Sequence, residues 1–420
     1  MTGPDISVVI CVYTEDRWED ILAAVGSVRA QSRPALETLL VVDHNRALLD
    51  RLAGHYRDPG ASGGVRVLAN AGPRGLSAGR NTGIAASRGE VIAFLDDDAV
   101  AERDWLRRFA EAYADPEVLA VGGRTVPVWE SGRRPAWFPE EFDWVVGCTY
   151  KGLPPGRVRV RNVLGGNASF RRTAFDAAGG FATGIGRDGD RRPLGCEETE
   201  LCIRLSRARP DAVLLIDDRA VIHHRVPHAR ERFRYFRTRT WAEGLSKALV
   251  ARSVGAAKGL ESERRYTTRV LPAGVARGLR DALLAREGGA GRAGAIVAGV
   301  LTVAGGYAVG TVRARRGGTA FSAPTAGAAD AAAGAPRLTA AGPGIGGDAT
   351  GGGKSQEREE AADGRTTGAN EKAADGRKTE AGEKAAGGAT AATDRTAAGG
   401  PRTGAGEEAV GGRAVGGRSV

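Results

Sequence analysis

Three consecutive carboxylates, Asp96-Asp97-Asp98, close the apolar run Val91–Leu95. Like charges this close resist joint ionisation unless something positive neutralises them. A hard divalent cation, Mg2+ or Mn2+, suits such oxygens and bridges carboxylate to diphosphate. A solvated acidic turn ahead of the next helix accounts for the same residues. Asp43 ends a second apolar run, Leu36–Val42, where a carboxylate can accept a base N–H. Gly75-Leu76-Ser77-Ala78-Gly79-Arg80-Asn81 offers a glycine-rich, basic approach to phosphate, or else an ordinary connection. Much later come Glu197 and Glu198. Their adjacency can hold one pKa near working pH while the other orients a substrate hydroxyl. Two acids complementing a helix N-terminus would look the same. His223-His224-x-x-x-His228 is not a helix-borne zinc pair, so only one histidine, His224, is carried forward as a metal ligand; a hydrogen-bonded structural histidine is the alternative.

These residues need elements to position them. Ile6–Val12 is a short β-branched run and reads as a buried strand. Trp18, Ile21, Leu22, Val25 and Val28 follow at helical spacing, with Asp16 as the expected N-cap. Leu36–Val42, Val65–Leu68 and Val91–Leu95 read as strands; Ala47–Tyr56, Gly75–Ser87 and Trp105–Tyr113 read as helices. Strands alternating with helices at this pace indicate βαβ units and a mostly parallel sheet. In such sheets ligands sit beyond the carboxyl ends of the strands, where Tyr13, Asp43 and Asp96–Asp98 fall. Residues 118–170 are mixed and rich in Trp, Pro and Gly. A helix begins at Thr199–Arg207, two short strands follow at Val213–Asp217 and Ala220–His223, and beyond Arg225 the chain turns helical and basic.

Charge is unevenly distributed over the 420 residues. Residues 1–200 carry 25 Lys/Arg against 28 Asp/Glu, whereas residues 201–320 carry 23 against 9. Such a basic block can meet nucleic acid, anionic lipid or a phosphorylated substrate. Ala293–Val312 is 20 residues without a charge, long enough to cross a bilayer, and contains Gly306-x-x-x-Gly310, the spacing of close membrane-helix packing. A soluble glycine-rich helix is the other reading. Over residues 321–420, 27 Ala and 23 Gly accompany a single aromatic, Phe321. That composition cannot offset the entropy of ordering, so 317–420 is expected to be a disordered tail dispensable for turnover. Four cysteines without a C-x-x-C pair, and no signal-peptide pattern after Met1, fit a reduced chain facing the cytoplasm. On that ground the Asn167-Ala168-Ser169 sequon carries no weight.

Taken together, the motifs are similar to those of the family 2 glycosyltransferases with the GT-A fold. The matching stretches are Ser7–Tyr13, Val41-Val42-Asp43, Gly79–Gly83, Phe94–Asp98, Gly165–Arg171 and Cys196–Cys202, in the family's order. The resemblance implies a Rossmann-like, mostly parallel α/β sheet with a mixed acceptor half. It places a nucleotide-sugar half at residues 5–115 and an acceptor half at 116–245. A basic, membrane-associating helical region would follow at 246–316, with a membrane helix at 293–312. The implied activity is inverting transfer of a sugar from a nucleoside diphosphate, a UDP-sugar, with Mn2+ or Mg2+. Residue by residue, Tyr13, Asp43, Arg80, Asp96 and Asp97 would bind the donor; Asp96, Asp98 and His224 would hold the metal; Glu198, beside Glu197, would be the base. Glu198 stands where the family usually has Asp, and Thr14 where it usually has Asn.

More narrowly, Trp137-Phe138-Pro139, Trp144–Tyr150 and Pro193–Glu198 resemble glucuronosyltransferases that act on polyprenyl-phosphate-linked glucose. This implies a polyprenyl-phosphate or cell-envelope glycan acceptor, and a place on the cytoplasmic side of the membrane, peripheral or held by one C-terminal helix. An acceptor that is itself a phosphate needs little deprotonation, and Glu198 would then orient it. Two rivals stand beside this reading: a catalytically degenerate GT-A binding protein, and a nucleotidyltransferase. The second would place a basic, glycine-rich loop after the first strand, where this chain has Tyr13-Thr14-Glu15-Asp16. Aromatics interleave with arginine over Arg230–Arg239, a nucleic-acid-like pattern, but the neighbouring uncharged segment favours an anionic membrane surface, and no nucleic acid is expected.

Overall fold

The computed structural model describes residues 3–57, 64–183, 187–188, 192–193, 195–254 and 265–315. The expected tail at 317–420 lies outside the described residues. Ile6–Val12 (β1), Glu37–Val42 (β2), Val65–Ala69 (β3) and Val91–Leu95 (β4) pair in parallel in the order β3-β2-β1-β4. Trp18–Arg29 (α1), Arg46–His55 (α2) and Leu76–Ala86 (α3) make the crossovers between them. β1 reads as a continuous apolar run because both its faces are buried. Val8, Ile10 and Val12 face a core that includes Ile21 and Val25 of α1, while Val9 faces a second core with Phe94 and Phe170.

The sheet then becomes mixed. After Ala99–Ala101 (β5) come Trp105–Ala112 (α4), Val118–Trp129 (β6), Arg157–Arg159 (β7), Asn167–Arg171 (β8) and Arg172–Ala178 (α5). A two-stranded hairpin, Arg187–Asp188 (β9) with Arg192–Pro193 (β10), precedes Glu197–Ala208 (α6) and Val213–Val226 (β11). β8 runs antiparallel to both β4 and β6; β11 is parallel to β6 and antiparallel to β5 and β7. This is the mostly parallel sheet with a mixed half that the GT-A resemblance implied.

Two local expectations need correction. Asp16 does not cap α1: Thr14 caps the short 3-10 turn ahead of it, accepting from the Asp16 N–H, and Asp16 instead accepts from the Thr14 hydroxyl. The two short strands expected at Val213–Asp217 and Ala220–His223 are one strand, β11. Its pairing with β6 shifts between Ile216 and Val221, so the polar Asp217-Asp218-Arg219 sits in an irregularity rather than a turn. Buried Asp217 is held there by Arg157 and Arg219, at 2.9 and 2.7 Å.

Among the described residues, three further α-helices follow: Phe233–Val254 (α7), Leu271–Leu283 (α8) and Gly289–Arg315 (α9). They dock on the aromatic segment after β6, where Phe138, Phe142, Val146, Phe236, Leu271 and Ile296 form a third core. α7 runs through residue 245 without a break. α7 and α9 pack by the close approach of their backbones: a Cβ at Gly244 would strike the Val303 carbonyl oxygen, and one at Gly306 the Trp241 carbonyl oxygen. A Cβ at Gly310 would come within 2.8 Å of Ala248 Cβ, so the Gly306-x-x-x-Gly310 spacing is used within the chain. Thr240 and Thr302 complete the seam with a 2.7 Å hydroxyl–hydroxyl hydrogen bond.

Candidate active site

The carboxyl ends of β1, β2 and β4 open into one cavity of about 1000 Å³. Tyr13, Asp43, Arg80, Asp96, Asp97, Asp98, Glu197, Glu198 and His224 all line it, so the fold gathers the donor, metal and base candidates named from the sequence. Tyr13 is exposed, with the Arg17 guanidinium 5.1 Å from its ring centre. Asp43 uses one oxygen to accept from Asn70 (2.7 Å) and the other to accept from the Gly75 N–H (3.0 Å). It therefore also staples the end of β2 to the glycine turn that opens α3, and its remaining lone pairs are available to a base.

The acidic triplet is divided among different partners. Arg17, at the start of α1, donates to Asp97 at 2.5 Å and lies 3.1 Å from Asp98 Oδ2; Arg230 is 3.7 Å from the same oxygen. Asp98 Oδ1 is 3.1 Å from His224 Nε2, on β11. Burial disfavours an ionised Asp98, but His224, Arg17 and Arg230 outweigh it and hold its carboxyl well below the usual range. Burial pushes Asp97 up to about 7 against the pull of Arg17, with Asp98 and Asp96 adding to the rise. Among the described residues, Asp97 Oδ2 is buried with no hydrogen-bond partner. Asp97 is thus turned into the protein, whereas Asp96 is about one-third exposed to the cavity.

One donor atom from each of Asp96, Asp98 and His224 lies within 4.8 Å of the other two. Two carboxylates and an imidazole form a donor set that suits a divalent ion of the manganese type, and the arginines leave Asp98 Oδ1 on the His224 side for it. Part of the neutralisation the triplet requires is nevertheless supplied by the chain itself, through Arg17 and Arg230. Sequence reading missed both. Arg17 directly follows the acidic stretch after β1, and only the fold brings it to a residue 80 positions away.

Opposite the triplet, α6 begins at Glu197 and puts both glutamates in its first turn, where the helix dipole favours negative charge. Cys196, just before it, has φ of 76°, the left-handed turn that brings the chain into the helix. Glu197 is buried and accepts from Arg80 at 2.9 Å, and among the described residues its other oxygen has no hydrogen-bond partner. Arg80 is itself buried, donates to the Gly165 carbonyl (3.1 Å), and lies over the Phe181 and Phe94 rings. Among the described residues Glu198, in contrast to Glu197, makes no ion pair with an arginine. Burial first, and the Glu197 charge second, push it up to about 8. Gly165 and Gly166 let the loop before β8 pass between these groups: a Cβ at Gly165 would lie 3.2 Å from Glu198 Oε2, and one at Gly166 would strike Asp96. Asn167, wholly buried, accepts from the Trp105 indole (2.8 Å) and donates to the Arg124 and Ala220 carbonyls, which makes it a scaffold residue of the site's floor.

Of the other histidines, His223 meets Glu102 at 3.0 Å and His228 meets Glu231 at 3.5 Å, both on the surface. The far side of the cavity is built by the C-terminal helices. Tyr235, Arg239, Glu243 and Lys247 form a stripe at four-residue spacing along α7, and Val300, Val303, Ala304 and Tyr307 line the wall from α9.

The family model for glycosyl transferase family 2 matches residues 7–179. The glucosyl-dolichyl phosphate glucuronosyltransferase of Haloferax volcanii is 36% identical over 246 residues, which are 58% of this chain and 77% of that protein. Glycosyltransferase AglE of the same organism is 31% identical over 31% of this chain and 42% of its own length. Among solved structures, a mannosyltransferase from Pyrobaculum calidifontis in complex with GDP-Man and Mn2+ superposes with a TM-score of 0.47 and 17% identity, over 74% of this chain and 88% of that one. With a family model seated on the strands that build the cavity, and a 36%-identical relative matched over three-quarters of its length, the chain belongs to glycosyl transferase family 2 and is a glycosyltransferase.

Proposed function

We propose that the protein moves a uronosyl residue from a UDP-sugar to a sugar carried on a polyprenyl phosphate, with inversion at the anomeric carbon. The observation that carries this reading is the facing of two unlike acidic groups across one cavity: Asp96, Asp98 and His224 on one side, and Glu198, pushed up to about 8, on the other. Tyr13 and Asp43 frame the base, and Arg80 holds Glu197 and the Gly165 loop against the donor. Asp96, Asp98 and His224 would hold Mn2+ or Mg2+, which supplies charge stabilisation for the leaving diphosphate. Glu198 takes the proton of the attacking acceptor hydroxyl; burial first and the Glu197 charge second raise the basicity of Glu198, against the pull of Arg80. The residues to 115 form the nucleotide-sugar half and those from 116 to 245 the acceptor half. The lipid-linked acceptor is supported by the 36%-identical relative, whose name specifies a glucosyl-dolichyl phosphate.

A membrane surface is the setting in which we place the reaction. α9 is long and apolar enough to cross a bilayer, but one of its faces belongs to the protein core through Ala293, Ala295 and Ile296. Its other face exposes Val297, Val300 and Leu301; Leu279 and Leu283 of α8, and Leu284 just after it, are exposed as well. Exposed arginines 232, 234, 237, 269, 280 and 286 accompany them. Exposed leucines and arginines on the C-terminal helices suit the interface of an anionic leaflet, here the cytoplasmic one. The test is transfer itself. Full-length protein is incubated with UDP-glucuronic acid, Mn2+ and a short isoprenyl-phosphoryl glucose, and the product linkage is read by NMR. An inverted glycosidic bond is expected. Failure of every nucleotide sugar to donate, with Mn2+ or Mg2+, rejects the proposal.

A further inference from the structure

The cavity is larger than its donor end requires, and its far wall has a composition of its own. Pockets for small ligands run to roughly 300–1000 Å³, so a volume at the top of that range leaves room for a second molecule. On α7, Arg239 and Lys247 flank Glu243, with Arg239 Nη1 3.2 Å and Lys247 Nζ 3.8 Å from that carboxylate. The three charges sum to one net positive. Among the described residues, Arg239 Nε is buried with no hydrogen-bond partner, an unmet donor on a cationic side chain that lines the cavity. The stripe reaches the candidate base end through two contacts: Cys196, next to Glu197, lies 3.5 Å from Glu243 Oε1, and a Cβ at Gly195 would lie 3.0 Å from Arg239 Nη2.

Beside this stripe the wall is apolar. Val300, Val303, Ala304 and Tyr307 recur at three- and four-residue spacing along one side of α9, and Val250 continues the surface from α7. Val300 both lines the cavity and is 42% exposed, and Leu301 beside it is 66% exposed. The apolar wall therefore continues outward onto the exposed apolar face of α9 instead of ending in a closed pocket.

We infer that Arg239 and Lys247 bind the phosphodiester of an isoprenyl-linked acceptor, and that Val300, Val303 and Tyr307 carry the first isoprene units of its chain toward the membrane. One net positive charge matches a phosphodiester, which carries one negative charge, and a hydrocarbon wall beside it excludes a wholly water-soluble glycan as the preferred ligand. With the phosphate on α7, the sugar it carries extends past Cys196 toward Glu198. This inference rests on the lipid-linked acceptor reading above and adds the residues that recognise it.

The test uses the full chain and three probes: farnesyl methyl phosphate, a singly charged isoprenyl diester; farnesol, its tail alone; and dimethyl phosphate, its headgroup alone. Binding is read from tryptophan fluorescence, since Trp144 lines the cavity, below the aggregation threshold of each probe. UDP with Mn2+ is titrated separately into the same samples. Farnesyl methyl phosphate is expected to bind at least tenfold tighter than either fragment. Arg239→Gln and Lys247→Gln should each weaken it about tenfold, with Lys247→Arg restoring it and Val303→Asp abolishing the advantage of the tail. UDP binding should be unchanged in all four variants. Equal binding of the diester to wild type and both glutamine variants, or of dimethyl phosphate and the diester to wild type, overturns the inference while UDP binding leaves the donor reading standing. Absence of UDP binding in wild type rejects the donor reading instead.

Discussion

Glu198 offers the sharpest test of the chemistry. Its carboxyl is pushed up to about 8, so at pH 7 only about one molecule in eleven carries it ionised, against about ten in eleven at pH 9. A general base acts in its ionised form. kcat/KM should therefore rise with pH, about tenfold between pH 7 and pH 9, and level off above the pKa. The same displacement has a stability counterpart of defined sign. Because the folded-state pKa lies above the ordinary value of 4.5, the native protein holds its proton more tightly than the unfolded chain, and stability is lost as pH rises from 4.5 through 8. Glu198→Gln removes the ionisation and should lower kcat by about 10²–10⁴-fold. It should also raise the melting temperature at pH 9 more than at pH 5. Initial rates from pH 6 to 9.5 under saturating donor, paired with thermal melts of both proteins, read both effects. A wild-type profile flat over that range, with Glu198→Gln keeping more than a tenth of the activity, refutes the assignment.

Three further outcomes are expected. Mn2+ at about a hundred times its Kd should stabilise the protein by about 2.7 kcal/mol, and Asp98→Asn should lose that shift in a thermal melt. Arg80→Met leaves buried Glu197 unpaired and should destabilise by about 3–5 kcal/mol, whereas the double change with Glu197→Met should recover most of the loss in urea denaturation. Gly244→Ala sets a methyl group against the Val303 carbonyl and should cost about 1–3 kcal/mol, loosening α9 while leaving nucleotide binding intact by fluorescence titration.

The sequence was most legible where a residue's local surroundings decide its structure. β1 and β4 fall at Ile6–Val12 and Val91–Leu95, the bounds their apolar runs imply, because strands buried on both faces admit few polar interruptions. β11 was read as two strands because Asp217-Asp218-Arg219 has the look of a turn, and no local signal announces that Arg157, 60 positions away, holds Asp217 inside the sheet. The candidate site divides in the same way. Its carboxylates were visible as strand-end and helix-start clusters. The partners that give them different character were not: Arg17 pairs with Asp97 across 80 positions and Arg80 with Glu197 across 117. Arg239 and Lys247 are hidden in a basic block in which Arg225 and Arg292, indistinguishable from them by sequence, serve surface or packing ion pairs instead.

The seam between α7 and α9 bears on how such a protein diversifies. The donor-side residues named above are all encoded by residue 230, while the cavity's far wall comes from residues 233–315, where α7 and α9 are joined to each other by glycines. A segment held together by its own internal packing can be exchanged as a block. Recombination near residue 230 would give a new far wall to an unchanged nucleotide end, provided the incoming helices still cover Phe138 and Phe142. Chimeras joined at that point would inherit one half of their specificity from each parent.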